Sequence, residues 1–283
     1  MLRLVAITVF TLSLPMDLCA KTMTTSQFIV QSNEVVLLDI DTINTSLKKQ
    51  GAEGKAHSVS VDRVNGAKLR GLRFESDNAQ REILFYPGNG MSLERAHGLL
   101  RALAALNANV TWFDPRGLGA SDAIHPITVE NLKADALRVF DAARKAFSAD
   151  LPVVIYGVSV GTSLASYVAA HRNVEGLVLE GAYVSVSELM ANLAHVGLDG
   201  DPSHELSQLT PAPALKRFEG PLLLLVGSQD DVTPASFASR LLTIAASNYK
   251  QQAVITAAPH AMALTRPSVL DHLMPFLNRL SGK

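Results

Sequence analysis

A hydroxyl, a carboxylate and an imidazole, the three groups that together perform acyl transfer, each stand just after a short aliphatic run in this chain. Gly157-Val158-Ser159-Val160-Gly161 follows the apolar run Val153 to Tyr156 and precedes a small-residue helical pattern, Ser163 to His171. A serine hydroxyl is a poor nucleophile until a base takes its proton, and that base needs an acid to fix its tautomer. A sharp strand-to-helix turn lifts Oγ above a sheet edge, and flanking glycines let strand and helix approach closely. The string alone is weak, since average composition gives about 0.1 chance occurrences in a chain of this length. Its position between a strand and a helix is the stronger signal.

On such a scaffold the acid and then the base follow the serine in chain order. Leu222 to Val226 leads into Gly227-Ser228-Gln229-Asp230-Asp231-Val232-Thr233-Pro234. Asp230 is the expected acid by its G-x-x-D spacing; Asp231 competes with it, and Glu180, closing the run Leu177 to Leu179, is a third candidate. Ala253 to Thr256 leads into Ala257-Ala258-Pro259-His260, which makes His260 the expected base. His171, His195 and His272 lie in helical patterns and His204 in a polar stretch, so they suit the role less. Residues placed after parallel strands share the sheet edge where open α/β sheets bind ligands. The N–H of Val160, at a helix start, is a candidate donor to an oxyanion. A second donor is expected from the loop after the first parallel strand, Pro87-Gly88-Asn89-Gly90-Met91, with the N–H of Asn89 as candidate and that of Gly90 as alternative.

The elements that must position these residues are readable from periodicity. His57 to Val64 and Ala67 to Glu75 alternate and are joined by Asn65-Gly66, which predicts an antiparallel hairpin closed by a type I′ turn. Val35 to Ile40 is a candidate strand before it. Strands at Glu82 to Tyr86, Val110 to Phe113, Val153 to Tyr156, Leu177 to Leu179, Leu222 to Val226 and Ala253 to Thr256 then alternate with helices. The helical patterns are Leu93 to Leu106, Val129 to Phe147, Ser163 to His171, Phe237 to Ala246 and Val269 to Leu280. Continuous aliphatic runs such as Leu222 to Val226 mark parallel strands buried on both faces. The predicted fold is a doubly wound, mostly parallel α/β sheet with an antiparallel N-terminal hairpin. Residues 183–219 interrupt the alternation with a helix, Ser187 to His195, and a polar stretch, and are expected to form a small cap over the strand ends. Leu189, Met190, Leu193, Val196 and Leu198 of that cap suit either an apolar acyl site or simple packing.

Composition narrows the function. The chain has 283 residues, 48% hydrophobic and 18% charged, enough apolar material for a large core. Lys and Arg number 25 against 26 Asp and Glu, a net charge of −1, which excludes the electrostatic footprint of a nucleic-acid or anionic-membrane binder. The single cysteine, Cys19, excludes an internal disulfide and a cysteine metal cluster. Only 6% of residues are aromatic, so no platform for stacking sugars or bases stands out. Residues 1–20, with Arg3, the apolar run Leu4 to Leu14 and Leu18-Cys19-Ala20, have the three-part layout of a signal peptide and are too short to span a membrane. The expectation is a single domain over residues 21–283, periplasmic or secreted if that segment is cleaved, otherwise cytoplasmic or membrane-associated, with no integral span in the mature chain. Gly117-Leu118-Gly119 lacks the spacing of a dinucleotide fingerprint, and neither a Walker A nor an H-E-x-x-H motif occurs.

With these motifs in order, the sequence resembles the α/β-hydrolase superfamily from about residue 57 to 283. The resemblance rests on GVSVG at 157–161, GSQDDVTP at 227–234, the Pro259-His260 pair, and Asp114-Pro115-Arg116-Gly117-Leu118-Gly119-Ala120-Ser121, similar to the superfamily's D-x-R-G-x-G-x-S turn. The PGNG loop is similar to its H-G-N-G oxyanion loop, with Pro87 in place of histidine. The resemblance implies hydrolysis of a small-molecule carboxylic ester, or of a thioester, amide or other bond, with no metal or organic cofactor. It assigns Ser159 as nucleophile, His260 as base, Asp230 as acid, and Val160 and Asn89 as backbone oxyanion donors. Peptidase, thioesterase or acyltransferase activity on the same residues, or ligand binding without turnover, are the alternatives.

Overall fold

The computed structural model describes residues 22–280 except 33, 64, 65, 124 and 195–199, and the side chain at 97. The segment 1–20 read as a signal peptide, with Cys19, lies outside the described residues, as do Val196 and Leu198. The chain enters its main sheet through an antiparallel hairpin, β1 (Gly54–Asp62) and β2 (Lys68–Ser76). Six strands follow: β3 (Arg81–Tyr86), β4 (Ala108–Phe113), β5 (Val153–Val158), β6 (Gly176–Glu180), β7 (Leu222–Gln229) and β8 (Lys250–Pro259). The spatial order is β1-β2-β4-β3-β5-β6-β7-β8, with β2 antiparallel to β4 and every pairing from β4 to β8 parallel. The order reverses around β3 and β4, so crossovers leave the sheet toward both faces, as a doubly wound fold requires.

Why both faces are covered is visible in β7. Leu222 and Leu224 pack into the core on one side and Leu223 and Leu225 into the core on the other, all four buried, because consecutive strand residues point to opposite faces. The first core is closed by helices α3 (Val129–Ala143), α4 (Gly161–Ala169), α5 (Val186–Leu193) and α6 (Ala235–Ile244). The second is closed by α1 (Ile40–Lys49), α2 (Leu93–Ala104) and α7 (Leu270–Leu280). Among the described residues no helix is long and apolar enough to cross a membrane.

Two local expectations are corrected. Val35 to Ile40 is not a strand: Val35 and Leu37 are exposed, and Asp39 caps α1 by accepting from the Thr42 N–H at 3.0 Å. The apolar run outweighs a capping aspartate on paper, but without a sheet edge beside it the run has nothing to pair with. The hairpin forms as expected, yet its turn is one residue longer than a type I′ connection. The Gly66 N–H donates to Arg63 O at 3.0 Å, the Arg63 N–H donates to Ala67 O at 2.8 Å, and Gly66 has φ of +78°. A left-handed glycine ending a three-residue loop restores the strand twist as well as two primed residues do.

The Asp114 to Ser121 turn is built around one buried carboxylate. Asp114 Oδ1 accepts from the Leu93 N–H at 2.8 Å and Oδ2 from the Ala120 N–H at 2.9 Å. The Ser121 hydroxyl donates to Asp114 O at 2.6 Å, and buried Arg116 pairs with Asp135. A Cβ on Gly119 would stand 2.2 Å from Asp114 Oδ2, which is why glycine is needed there. Burial pushes the Asp114 carboxyl up to about 6.

Between β6 and β7, α5 is followed by single turns at Leu206–Gln208 and Ala212–Leu215. Leu189 and Met190 are almost fully buried in the first core and Leu193 packs against it, so these three hold the insertion onto the sheet.

Candidate functional site

Ser159 sits where β5 turns into α4, with φ of +50°, a conformation that L side chains rarely adopt. Its N–H donates to Glu180 O at 2.8 Å, tying the turn to the neighbouring strand. The flanking glycines are required by contact. A Cβ on Gly157 would lie 2.6 Å from Ala165 Cβ, and one on Gly161 would lie 2.2 Å from Tyr86 O. The strain at Ser159 is therefore held by close packing of β5, α4 and the end of β3.

His260 follows the last residue of β8, and Asp230 the last residue of β7, so all three side chains meet at one sheet edge. Ser159 Oγ is 2.9 Å from His260 Nε2. His260 Nδ1 is 2.9 Å from Asp230 Oδ2 and 3.0 Å from Oδ1. Asp230 is buried while the imidazole is about a fifth exposed, so solvent reaches the ring and not the carboxylate. Asp230 Oδ1 also accepts from the Thr233 N–H at 2.7 Å and the Val232 N–H at 3.1 Å, and Oδ2 from the Thr233 hydroxyl at 2.8 Å.

The competing acids stand elsewhere. Asp231 is exposed and makes no contact with His260. Glu180 is fully buried, accepts from the Tyr156 hydroxyl at 2.6 Å and from the Ala263 N–H at 2.7 Å, and burial pushes its carboxyl up. It anchors the chain three residues beyond His260 and, though close enough to feel the charge of the ring, makes no hydrogen bond to it.

The Pro87 to Gly90 loop runs beside the serine. A Cβ on Gly88 would lie 3.3 Å from Ser159 Cβ, whereas one on Gly90 would meet the Val30 side chain at 3.4 Å, so Asn89 lies between the nucleophile and the N-terminal segment. Neither the Asn89 N–H nor the Val160 N–H has an acceptor among the described residues. Among those residues no group of three or more His, Cys, Asp or Glu side chains is arranged to hold a metal ion. The arrangement can therefore move a proton from a hydroxyl to an imidazole beside two unengaged backbone donors.

Sequence reasoning missed three contributors. Thr233 clamps Asp230 through both its N–H and its hydroxyl; the signal was the Asp-x-x-Thr spacing, in which a carboxylate caps the turn just after it. Phe28 and Val30, in a stretch that carried no motif, hydrogen-bond the Asn89 side chain of the Pro87 to Gly90 loop. Gly181, with φ of +61°, walls the imidazole: a Cβ there would lie 2.9 Å from His260 Cε1 and 3.2 Å from Thr233 Oγ1. Gly181→Ala is expected to displace the ring, lowering turnover of an acyl ester about 10- to 100-fold. The left-handed backbone adds a stability loss of roughly 1–2 kcal/mol. Steady-state kinetics and denaturant unfolding check both; wild-type kinetics in the variant would remove Gly181 from the site.

Comparison with known proteins bears on the fold. The family model described as "Serine aminopeptidase, S33" matches residues 77–199. An uncharacterized protein of Mycobacterium tuberculosis is 28% identical over 222 residues, covering 75% of this chain and 74% of that one. The lysophosphatidylserine lipase ABHD12 of Macaca fascicularis is 30% identical over 182 residues, 58% of this chain and 45% of the lipase, so the chain spans less than half of that relative's length. Among solved structures, the Pyrococcus furiosus esterase Pf2001 superposes with a TM-score of 0.69 at 17% identity, covering 90% of this chain and 98% of that one, a likeness of fold. Strand order, the strained serine turn and the structural likeness agree on one architecture: the chain has an α/β-hydrolase fold.

Proposed function

We propose that the protein is a serine hydrolase that cleaves a carboxylic ester, or a related acyl bond, of a small molecule through an acyl-enzyme. The observation that supports this is the unbroken line from Ser159 Oγ through the His260 ring to Asp230, 2.9 Å at each step. Ser159 Oγ attacks the carbonyl carbon as His260 Nε2 accepts its proton. The Nδ1–H stays donated to Asp230, which holds the tautomer and stabilises the imidazolium. The N–H groups of Val160 and Asn89 stabilise the tetrahedral oxyanion, each by roughly 3 kcal/mol in the transition state. The imidazolium returns its proton to the leaving alcohol, and water then attacks the acyl-enzyme with His260 again as base.

A fluorophosphonate probe is expected to form a single adduct on Ser159, mapped by peptide mass spectrometry. Folded protein that stays unlabelled would sink the proposal and favour ligand binding without turnover. The name of the lipase relative makes a lysophospholipid ester the first natural substrate to test. The description of the family model favours an aminoacyl amide as the second.

A further inference from the structure

Residues 22–32 and 34–36 cross the catalytic edge of the sheet as a strap stitched to separate loops. Thr22 and Met23 pair in parallel with Asp201 and Pro202 of the insertion, and the Ser203 N–H donates to Met23 O at 2.8 Å. The Ser26 hydroxyl donates to Ile127 O at 3.1 Å. The Ser32 and Val36 N–H groups donate to Gly117 O at 2.6 Å and Gly119 O at 2.8 Å, in the turn built on Asp114. At its centre the strap is gripped by one side chain of the loop beside Ser159. The Val30 N–H donates to Asn89 Oδ1 at 2.8 Å, and Asn89 Nδ2 donates to Phe28 O at 2.8 Å.

The Asn89 carboxamide thus pairs with the strap as a neighbouring peptide group would, through one acceptor and one donor two residues apart. This matters because the loop is poor in its own restraints. Gly88 and Gly90 flank Asn89, and Gly90 has φ of +74°, so the backbone here has wide freedom unless something outside the loop fixes it. Both ends of the side chain are engaged, while the backbone N–H of the same residue is left without an acceptor beside Ser159. A donor stabilises a developing oxyanion best when it is already aimed and need not reorganise.

We infer that the Asn89 side chain is a positioning residue for acyl transfer, with Phe28 and Val30 of the strap as its dock: clamping the carboxamide holds the Asn89 N–H toward the oxyanion. This rests on the serine-hydrolase proposal and assigns a working role to a segment outside the motifs of the site.

The test uses the full chain with three variants: Asn89→Ala, which removes both clamp bonds; Val30→Pro, which removes the donating N–H while leaving Asn89 intact; and the double variant. Ile29, extended at φ of −81° and ψ of 122°, tolerates a following proline. With a p-nitrophenyl ester, Asn89→Ala is expected to lower kcat by about 10-fold or more with KM within about 3-fold. The rate of fluorophosphonate labelling of Ser159 should fall in parallel, while the fraction finally labelled stays as in the wild type. Val30→Pro should lower kcat in the same way, and the double variant should lose no more than Asn89→Ala alone, because both changes break one clamp. An unchanged kcat in Asn89→Ala would overturn the inference. So would losses that multiply in the double variant, or a loss that follows the labelled fraction or the melting temperature. Failure of the wild type to label at all would instead overturn the hydrolase proposal itself, and the inference with it.

Discussion

Ser159→Ala is expected to abolish turnover of a p-nitrophenyl acyl ester, with kcat falling by about 10⁴-fold or more, as serine triads do when the nucleophile is removed. Fold and stability should survive. The substitution deletes one hydroxyl whose partner, His260 Nε2, belongs to a ring about a fifth exposed, so water can replace the lost bond. Alanine inherits the same φ of +50°, and the packing that enforces it, Gly157 against Ala165 and Gly161 against Tyr86 O, is untouched. Melting followed by circular dichroism should therefore agree with the wild type within about 3 °C, since a change under 1 kcal/mol moves the midpoint little in a domain of this size. Retention of more than about 1% of wild-type activity by purified variant would remove Ser159 from the chemistry.

The second large effect separates two adjacent carboxylates. Asp230→Asn is expected to lower kcat by roughly 10⁴-fold, because the amide can present an N–H to Nδ1 and so favour the tautomer in which Nε2 carries the proton and cannot act as a base. Asp231→Asn should stay within about 2-fold, since that side chain is exposed and off the line from Ser159 to His260. Asparagine at 230 keeps one oxygen for the Val232 and Thr233 N–H groups that now meet Oδ1, so the loop should hold its shape and the loss should fall on kcat. Kinetics of the two variants side by side decide the assignment. A larger loss at 231 than at 230 would transfer the acid to the exposed position and contradict the geometry.

The residues of the candidate site were legible in the chain where they sat at the ends of regular elements. Ser159, Asp230 and His260 each come directly after a run whose aliphatic continuity reports a strand buried on both faces, and successive parallel strands deliver the residues at their C-terminal ends to one edge. The same logic separated the buried sheet from the insertion at 183–219. It failed for Val35 to Ile40, where local hydrophobicity mimicked a strand that had no neighbour, and for the hairpin turn, where one glycine serves either of two loop lengths.

The sequence by itself determined the order of strands and helices, the turns that carry Ser159, Asp230 and His260, and the family of folds that can hold them, because periodicity and glycine placement act within about ten residues. Only the tertiary structure decided which of Asp230, Asp231 and Glu180 faces the imidazole, since burial and aim depend on the loops packed around each carboxylate. It also decided that Thr233, Gly181 and the strap through Asn89 belong to the site. Thr233 meets the His260 ring 27 positions on, Gly181 meets that ring across about 80 positions and Asn89 meets Val30 across 59, and a one-dimensional pattern holds no record of distances that arise when the sheet closes around its core.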